Sequence, residues 1–312
     1  MIHITRSKTL SSTDYDAVIV GGSFAGLSAA LYLARARRRV CVLDTRRSRN
    51  RFSAHSHGLF GHDGSDPASM LGTMRAQVTA YPSAEVRELA AVDVSRDGKR
   101  FVVKLADGKT VSGARVLLSY GIIDKLPTLA GVAERWGKTV IHCPYCHGYE
   151  FSEQRLGVLF MSPMSAHQAQ LITEWGPTTA FLDGQDLEND TLRSLKSRGV
   201  TIEPERVVGL AGDAPRLKAI ELADGRSVSI DALYIGPRHH FSSDIGERLG
   251  CAIEAGPLGP VLKVDETKAT TIPGVYAAGD VTRMGHTVTF ACADGVTAAL
   301  AIHRSLAFPE RA

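Results

Sequence analysis

The segment spanning residues 16–44 constrains the fold more than any other part of the chain. It opens with the apolar run DAVIV, passes through the glycine-containing turn GGSFAG and an alanine- and leucine-rich stretch, and closes with the apolar run VCVL. Continuous short apolar runs indicate buried strands, whereas the stretch at 27–36 has the composition of a helix. A strand, a helix and a second strand in this order form one unit of a parallel sheet, so the segment predicts an α/β fold.

The turn between this first strand and the helix carries a dinucleotide-binding pattern. Glycine at its first and last positions permits a tight turn and close packing of the helix on the strand, whereas Ser23 stands where a middle glycine is usual. The helix N-terminus would face phosphates, and Asp44 after the second strand would accept hydrogen bonds from a ribose. A tight turn that binds no ligand is the alternative interpretation of the glycines.

Later segments repeat the arrangement of strand, helix and strand. The predicted elements are strands at 157–160, 179–182 and 228–235, a helix at 165–174, a strand at 274–278 and a helix at about 289–306. Asp-Gly pairs at 107–108 and 224–225 mark hairpins, the first of them followed by a separate strand at 115–119. The chain is therefore predicted to hold two related α/β halves, with its last segment returning to the first half.

Composition sets the remaining limits on the kind of protein. The 312 residues suffice for two domains, and a hydrophobic share of 44% is enough for buried cores. No apolar run approaches the roughly 20 residues that span a bilayer, and residues 1–13 form a polar tail without a secretory signal. We therefore expect a cytoplasmic protein that does not enter membranes. A net charge of +3 gives no reason to expect a nucleic-acid partner.

The reactive chemistry is predicted at the motif CPYCH, residues 143–147. Cys143 and Cys146 are close enough to form a small disulfide, and a helix N-terminus or a nearby cation would lower the pKa of one thiol. His147 is placed to act as acid or base in thiol exchange. Covalent haem attachment, a zinc site and a pair of buried structural thiols are the alternatives. The remaining cysteines are predicted to be packing residues: Cys41, Cys251 and Cys292.

Over about residues 14–308 these motifs resemble those of low-molecular-weight thioredoxin reductases. The matching pieces are GGSFAGLSAALYLAR, Asp44, LLSYGIIDKLP, CPYCHGYE and GVYAAGDV. The resemblance implies a homodimer whose chains have two Rossmann-like three-layer domains. An FAD-binding domain at 1–125 and 237–312 would hold an inserted NAD(P)H-like domain at 126–236. The resemblance also implies that Cys146 faces the flavin and that Cys143 exchanges with the partner disulfide.

The resemblance further implies FAD as the cofactor. In flavoproteins with two dinucleotide sites a strand ending in Gly-Asp places its carboxylate on the flavin ribityl chain, and here that carboxylate is Asp280. The helix that follows would direct its N-terminus at the flavin pyrimidine ring. The predicted FAD contacts are Gly21, Gly22, Ser23, Phe24, Ala25, Gly26, Asp44, Gly121, Gly279, Asp280, Thr287 and Val288.

Two departures from the reductases bear on the electron donor. His147 replaces the aspartate after the second cysteine, and CPYCHG is closer to the dithiol oxidases that close disulfides in natural products such as gliotoxin and holomycin. The turn that should carry G-x-G-x-x-A for NADPH is MSPMSA at 161–166, where Pro163 removes an amide that would bind phosphate. The acidic stretch DGQD at 183–186 stands where basic residues are expected. The sequence therefore predicts that NADPH does not bind in the usual manner.

Three functions remain open on the sequence. The first is a dithiol oxidase, in which a small dithiol reduces the Cys143–Cys146 disulfide, FAD takes the electrons and dioxygen reoxidises it. The second is a thioredoxin reductase-like enzyme that is reduced by ferredoxin, another flavoprotein or an atypically bound NAD(P)H and acts on a thioredoxin-like protein. The third is a non-catalytic FAD-binding partner protein. Candidates for a basic surface that docks ferredoxin are Arg46, Arg47, Arg49 and Arg51. Five further histidines could line the site, although histidines in loops are more often simply solvated: His55, His57, His62, His239 and His240.

Overall fold

A computed structural model describes residues 13–309, so the predicted tail lies outside the described residues except for its last position. The first 125 residues contribute most of one sheet and two helices. In chain order these elements are β1 (Asp14–Val20), α1 (Phe24–Arg35), β2 (Val40–Leu43), α2 (Pro67–Thr79), β3 (Ala84–Arg87), β4 (Ala91–Asp97), β5 (Arg100–Leu105), β6 (Thr110–Leu118) and β7 (Ile122–Lys125).

The middle of the chain forms a second set of strands and three helices. These are β8 (Val140–Ile141), α3 (Pro144–His147), β9 (Leu156–Leu159), α4 (Met164–Ile172), β10 (Thr178–Phe181), α5 (Asn189–Ser197), β11 (Thr201–Glu203), β12 (Val207–Ala211), β13 (Ala219–Leu222), β14 (Ser227–Ser229) and β15 (Ala232–Tyr234). The last part then adds β16 (Arg238–Phe241), α6 (Ile245–Arg248), β17 (Ile253–Ala255), β18 (Pro260–Leu262), β19 (Val275–Ala277) and α7 (Val288–Ala307). Short 3-10 turns lie at Arg49–Phe52, Ala133–Arg135, Tyr149–Phe151 and Asp280–Thr282.

The first sheet has seven strands in the order β3-β2-β1-β6-β5-β4, and β19 pairs with β6. β1 runs parallel to β2 and β6, as the opening segment of the sequence predicts. α1 and α7 pack closely because Gly295 of α7 lies where any Cβ would come within 2.1 Å of the Ala25 carbonyl oxygen. The prediction of a separate strand at 115–119 is wrong, since β6 continues unbroken from the hairpin at 107–108.

The second sheet has five strands in the order β11-β10-β9-β15-β8, all parallel, and a three-stranded antiparallel sheet of β12, β13 and β14 lies beside it. The predicted single strand at 228–235 is therefore wrong, because β14 and β15 belong to different sheets. The chain turns between them at Asp231, whose carboxylate accepts the Arg155 backbone N–H at 3.0 Å and two hydrogen bonds from its guanidinium group.

A two-stranded antiparallel ribbon of β7 and β16 connects the two sheets, with Asp124 opposite His239. The chain enters the second sheet after β7 and returns through β16 to β19 in the first. Parallel sheets flanked by helices confirm the predicted α/β class, while the exact domain boundaries at 125 and 237 stay a prediction. Within residues 13–309, no helix has both the length and the apolar character required to cross a membrane.

Candidate active site

A large cleft lies at the carboxyl ends of β1, β2 and β6, between the first sheet and the segment that carries the two cysteines. Its volume is about 910 Å³. The predicted site residues that line it are Gly21, Gly22, Ser23, Phe24, Ala25, Asp44, Gly121, Cys146, His147, Gly279, Asp280, Thr287 and Val288. Two predicted residues are not part of the lining, Gly26 and Cys143. The fold therefore brings most of the predicted residues together from four distant parts of the chain.

The glycine turn is a cradle that no larger residues would fit. A Cβ on Gly21 would lie 2.2 Å from the Ser119 carbonyl oxygen, one on Gly22 would lie 2.4 Å from Asp44 Cβ, and one on Gly26 would lie 1.9 Å from the Gly21 carbonyl oxygen. Gly21 also has φ of +113°, which L side chains rarely adopt. Because glycine has no Cβ, the backbone of this turn can pack this closely and still border the cleft, as the close approach of a pyrophosphate requires.

The ribose end of this cleft is polar and buried. Asp44 is buried, and its carboxylate accepts the Arg46 backbone N–H at 2.8 Å and a hydrogen bond from Arg75 Nη1 at 3.4 Å. Asn50 also lines the cleft, and its buried side-chain nitrogen Nδ2 has no hydrogen-bond partner within residues 13–309. An orphaned donor and a buried carboxylate in one cleft suit a ligand rich in hydroxyl and phosphate oxygens, so the residues fit FAD.

Within the same cleft an arginine joins two carboxylates. Arg49 donates from Nε and Nη2 to Asp124 at 2.8 and 2.5 Å, and from Nη1 to Asp280 Oδ2 at 3.1 Å. Burial alone would favour the neutral forms of Arg49 and Asp124. The ion pair outweighs burial, because it raises the pKa of Arg49 and lowers that of Asp124. Asp280 follows Gly279, whose φ is +82°, and Thr287 nearby caps α7. The sequence analysis assigned Asp280 but missed Asp124.

The predicted ferredoxin-docking role does not suit Arg49, because its side chain is only 18% exposed and is bound to carboxylates inside the cleft. Arg46 pairs with Asp44 and Glu88, and Arg51 lies over the Phe52 ring at 4.1 Å. Arg75, which the sequence analysis did not single out, reaches Asp44 from α2. Neither the periodicity nor the spacing of these arginines in the sequence indicates which carboxylate each one reaches.

Cys143 directly precedes the single turn of α3, and Cys146 lies within that turn and lines the cleft. Cys143 is the residue before the helix, with extended dihedrals (φ −112°, ψ 115°), and Pro144 occupies the first helical position. A hydrogen bond from the Cys146 thiol lowers the pKa of Cys143, aided by the backbone N–H groups of Cys146 and Tyr145, and the same bond raises the pKa of Cys146. Cys146 lines the cleft and Cys143 does not, so the two sulfurs occupy different surroundings.

The histidines next to the dithiol are held neutral by burial. Burial lowers the pKa of His147, whose Nε2 lies 3.4 Å from Ser53 Oγ, and lowers that of His142 to about 3. A neutral imidazole can accept a proton at neutral pH. His147 therefore has the state that thiol exchange needs, whereas His142, whose pKa is lowered further, is much harder to protonate.

Further histidines of the cleft were missed or misjudged on the sequence. His286 lines the cleft, and its ring lies 5.5 Å from that of His239, a buried residue of β16 rather than a solvated loop residue. Burial lowers the pKa of both. His57 bridges two separate segments, with Nε2 3.3 Å from Glu150 just after the dithiol helix. These residues are far apart in sequence, so only the fold brings them together.

The sequence and structure of known proteins identify the family. The model of the pyridine nucleotide-disulphide oxidoreductase family matches residues 15–161 and 177–295. The chain belongs to this family. Proteins of the family are FAD-binding flavoproteins, so the predicted cofactor and the predicted class, a flavin-dependent oxidoreductase acting on sulfur groups, are confirmed. The predicted similarity to thioredoxin reductases is confirmed by the relatives described next.

Two relatives and two solved structures are similar over almost the whole chain. Thioredoxin reductase tcpT of Claviceps purpurea is 31% identical over 283 residues, covering 86% of this chain and 87% of its own. Thioredoxin reductase sirT of Leptosphaeria maculans is 29% identical over 303 residues, covering 91% and 92%. The crystal structure of an oxidoreductase from Agrobacterium tumefaciens has a TM-score of 0.91 and 41% identity, covering 95% of this chain and 99% of its own. The structure of HlmI also has a TM-score of 0.91, with 37% identity and coverage of 98% and 96%.

In this oxidoreductase the side chain of Ser165 occupies the turn between β9 and α4, where a second dinucleotide would be expected to bind. The turn between β9 and α4 directs the backbone N–H groups of Met161 and Ser162 to Ser165 Oγ, at 3.1 and 3.4 Å. Ser165 is 1% exposed, so this hydroxyl is enclosed by the turn. After β10, Gln185 Nε2 donates to the Phe160 carbonyl oxygen at 2.8 Å. Backbone donors that a phosphate would use at this position are bonded within the protein.

Proposed function

We propose that this protein is a dithiol oxidase, which closes disulfides in small dithiols and uses dioxygen as the final electron acceptor. The observation that carries the proposal is the turn at Met161 and Ser162, whose amides are bonded to Ser165. A reductase of this family draws electrons from a pyridine nucleotide, and a turn whose Met161 and Ser162 amides are already bonded is poorly suited to hold its phosphates. Electrons would then enter through the dithiol.

The two cysteines would carry out the exchange in two steps. A substrate thiolate attacks Cys143 Sγ of the Cys143–Cys146 disulfide, and Cys146 leaves as a thiolate. The second substrate thiol loses its proton and attacks the substrate sulfur of the mixed disulfide, and Cys143 leaves as a thiolate. The substrate has lost two electrons and two protons, and the cysteine pair has gained the electrons.

The surroundings of each sulfur match these assigned roles. Cys146 lines the cleft that fits FAD, whereas Cys143 lies outside that lining and is partly exposed, which suits the sulfur that an external dithiol attacks. His147, neutral and close to Cys146 in the same helix turn, would accept a proton released during exchange. FAD, held by the glycine cradle, Asp44 and Asp280, would supply a two-electron acceptor that dioxygen can reoxidise.

The second candidate is the reduction of a thioredoxin-like protein with electrons from another donor. Exposed aromatic side chains beside the dithiol favour it, because Tyr145 is 72% and Tyr149 is 85% exposed. Large exposed aromatic residues are common in protein-binding surfaces. The relatives named thioredoxin reductases agree with this candidate at the level of the family. In both candidates we also propose a homodimer in the cytoplasm, which size-exclusion chromatography with light scattering and a tagged chain in cells would test.

An anaerobic titration separates the two candidates. The purified yellow protein receives stoichiometric NADPH, then dithiothreitol, then air, while the flavin absorbance is followed. We expect no rapid bleaching by NADPH, bleaching by the dithiol, and recovery with peroxide formation in air. Cys143→Ser should retain the flavin and lose bleaching by dithiol, whereas the control Cys251→Ser, at a buried packing cysteine, should behave like the parent. Rapid stoichiometric bleaching by NADPH would contradict the oxidase proposal.

A further inference from the structure

Tyr234 carries a buried hydroxyl that the fold leaves without a partner. Its side chain is fully buried at the end of β15, which lies between β9 and the edge strand β8, and within residues 13–309 no atom is placed to hydrogen-bond its OH group. A buried hydroxyl without a hydrogen bond costs roughly 1–3 kcal/mol, and buried polar groups in native proteins usually have a partner. The hydroxyl therefore points to a partner that forms during the reaction.

The register of the sheet places Tyr234 near Cys143. Tyr234 lies opposite Ile141, the last residue of β8, and the two side chains pack in the same hydrophobic cluster on one face of the sheet. Cys143 is two residues beyond Ile141 and has extended dihedrals. Cys143 therefore follows closely on the end of β8 that pairs with Tyr234.

Electrostatics gives the same neighbour. Burial raises the pKa of Tyr234, and Cys143 is the charge that raises it most, followed by Glu150. A phenol with a raised pKa stays protonated at neutral pH, so it is available as a donor. The groups that lower the pKa of Cys143 are the Cys146 thiol, the backbone N–H groups of Cys146 and Tyr145, and the guanidinium of Arg49. The histidines adjacent to the dithiol, His142 and His147, are neutral because burial lowers their pKa.

We propose that the Tyr234 hydroxyl donates a hydrogen bond to the Cys143 sulfur when that sulfur leaves as a thiolate. This inference rests on the proposed dithiol chemistry. In its second step the bond between Cys143 Sγ and the substrate sulfur breaks, the substrate disulfide forms, and the electron pair of the broken bond stays on Cys143 Sγ. A donor at that sulfur makes Cys143 a better leaving group, because a less basic thiolate leaves faster. Tyr234 thus favours release of the oxidised substrate over return of the mixed disulfide to free dithiol.

The test measures the pKa of Cys143 directly. In the FAD-loaded Cys146→Ser background, alkylation of Cys143 by iodoacetamide is followed between pH 5 and pH 10 by mass spectrometry of the peptide. We expect Tyr234→Phe to raise the pKa of Cys143 by about one unit, since a hydrogen bond to a charged group of this size changes an ionisation equilibrium roughly tenfold. The matched control is Tyr276→Phe, at a buried tyrosine of β19 in the first sheet, which should leave the pKa unchanged.

Other outcomes would overturn the inference. A pKa of Cys143 that stays within about 0.3 units of its parent value in Tyr234→Phe rules out the hydrogen bond, as does an equal rise in Tyr276→Phe. If Tyr234→Phe loses its folded circular dichroism signal, a fluorinated tyrosine at position 234 keeps the shape and makes the phenol more acidic. It should then lower the pKa of Cys143, and no change would reject the proposal.

A second measurement follows the leaving step itself. In the otherwise intact enzyme, rapid mixing with dithiothreitol and acid quenching should show the mixed disulfide at Cys143 persisting about tenfold longer in Tyr234→Phe than in the parent. An unchanged lifetime counts against the proposal. The alkylation experiment needs neither dioxygen nor NADPH, so its result is independent of whether the protein is an oxidase. Failure of the oxidase proposal would appear as bleaching by NADPH with the pKa effect of Tyr234 intact.

Discussion

Replacing Arg49 by methionine removes the cation that joins two carboxylates in the cleft. Asp124 would lose two hydrogen bonds, at 2.8 and 2.5 Å, and Asp280 would lose one at 3.1 Å. The Asp124 side chain is only 6% exposed, so water cannot replace the guanidinium. Breaking a buried ion pair by removing one partner costs about 3–5 kcal/mol, and we expect Arg49→Met to lose that much free energy of unfolding at pH 8.

The loss should depend on pH. In the parent protein Arg49 lowers the pKa of Asp124, so the stability this carboxylate contributes is present above its unfolded pKa, and is constant between pH 5 and pH 8. In Arg49→Met burial acts on Asp124 without the guanidinium that opposes it, and the neutral His142 and His286 offset it little, so the pKa of Asp124 rises and the folded variant takes up a proton as the pH falls. The variant therefore becomes less stable as the pH rises. Its deficit should shrink from pH 8 to pH 5 by about 1.4 kcal/mol for each pH unit over which Asp124 is protonated.

Urea unfolding of the FAD-loaded proteins at pH 5, 6.5 and 8 measures this deficit, with far-UV circular dichroism as the probe. The measurement is repeated at two FAD concentrations that differ tenfold, to find how much of the deficit comes from weaker FAD binding. A tenfold change in FAD concentration changes the stability of an FAD-binding protein by at most about 1.4 kcal/mol. The control is Arg51→Met in the same 3-10 turn, which removes a contact with the Phe52 ring and an exposed hydrogen bond to the Ser48 carbonyl oxygen, and should cost about 0.5–1 kcal/mol at every pH. A deficit below about 1 kcal/mol at pH 8 for Arg49→Met, or one that is larger at pH 5, would refute the reasoning.

Two further substitutions test local parts of the fold. Gly22→Ala would bring a Cβ within 2.4 Å of Asp44 Cβ, so we expect FAD affinity to fall at least about tenfold in fluorescence titration. The control is Gly72→Ala in α2, where an added Cβ meets no atom within 4 Å; this variant should retain its FAD affinity and gain up to about 1 kcal/mol of stability. Asp66→Ala removes the side chain that caps α2 by accepting the Ser69 N–H at 2.8 Å; it should cost about 1 kcal/mol in thermal unfolding, and an unchanged midpoint would show that the cap does not stabilise the protein.

The parts of the site that the sequence predicted are those set by local backbone geometry. Three glycines could be recognised because a side chain at each position would collide with backbone or with a neighbouring residue: Gly21, Gly22 and Gly26. The requirement for glycine at these positions is visible in the sequence, since they lie between a predicted strand and a predicted helix. Asp44 was found for the same reason, since its position is fixed by the end of β2. Such constraints act over a few residues, so one chain is enough to detect them.

The parts that were missed depend on contacts between distant segments. Arg49 lies 75 residues from Asp124 and 231 from Asp280, and nothing in a polar loop indicates which carboxylate an arginine will reach. The error at 228–235 has the same origin, because the apolar pattern continues through a change of sheet that depends on Arg155 and Asp231. Local patterns predicted the elements, and tertiary pairing decided their partners.

The ribbon of β7 and β16 has a consequence for engineering the protein. The chain leaves the first sheet and returns to it on adjacent strands, with Lys125 directly opposite Arg238. A two-residue Asn-Gly connection is the natural closure of an antiparallel pair, so joining these residues would turn the ribbon into a hairpin. All strands of the seven-stranded sheet lie outside the excised stretch. The segment with the dithiol is thus a cassette with both ends at one point, which can be exchanged between relatives while the flavin cleft keeps its glycine cradle.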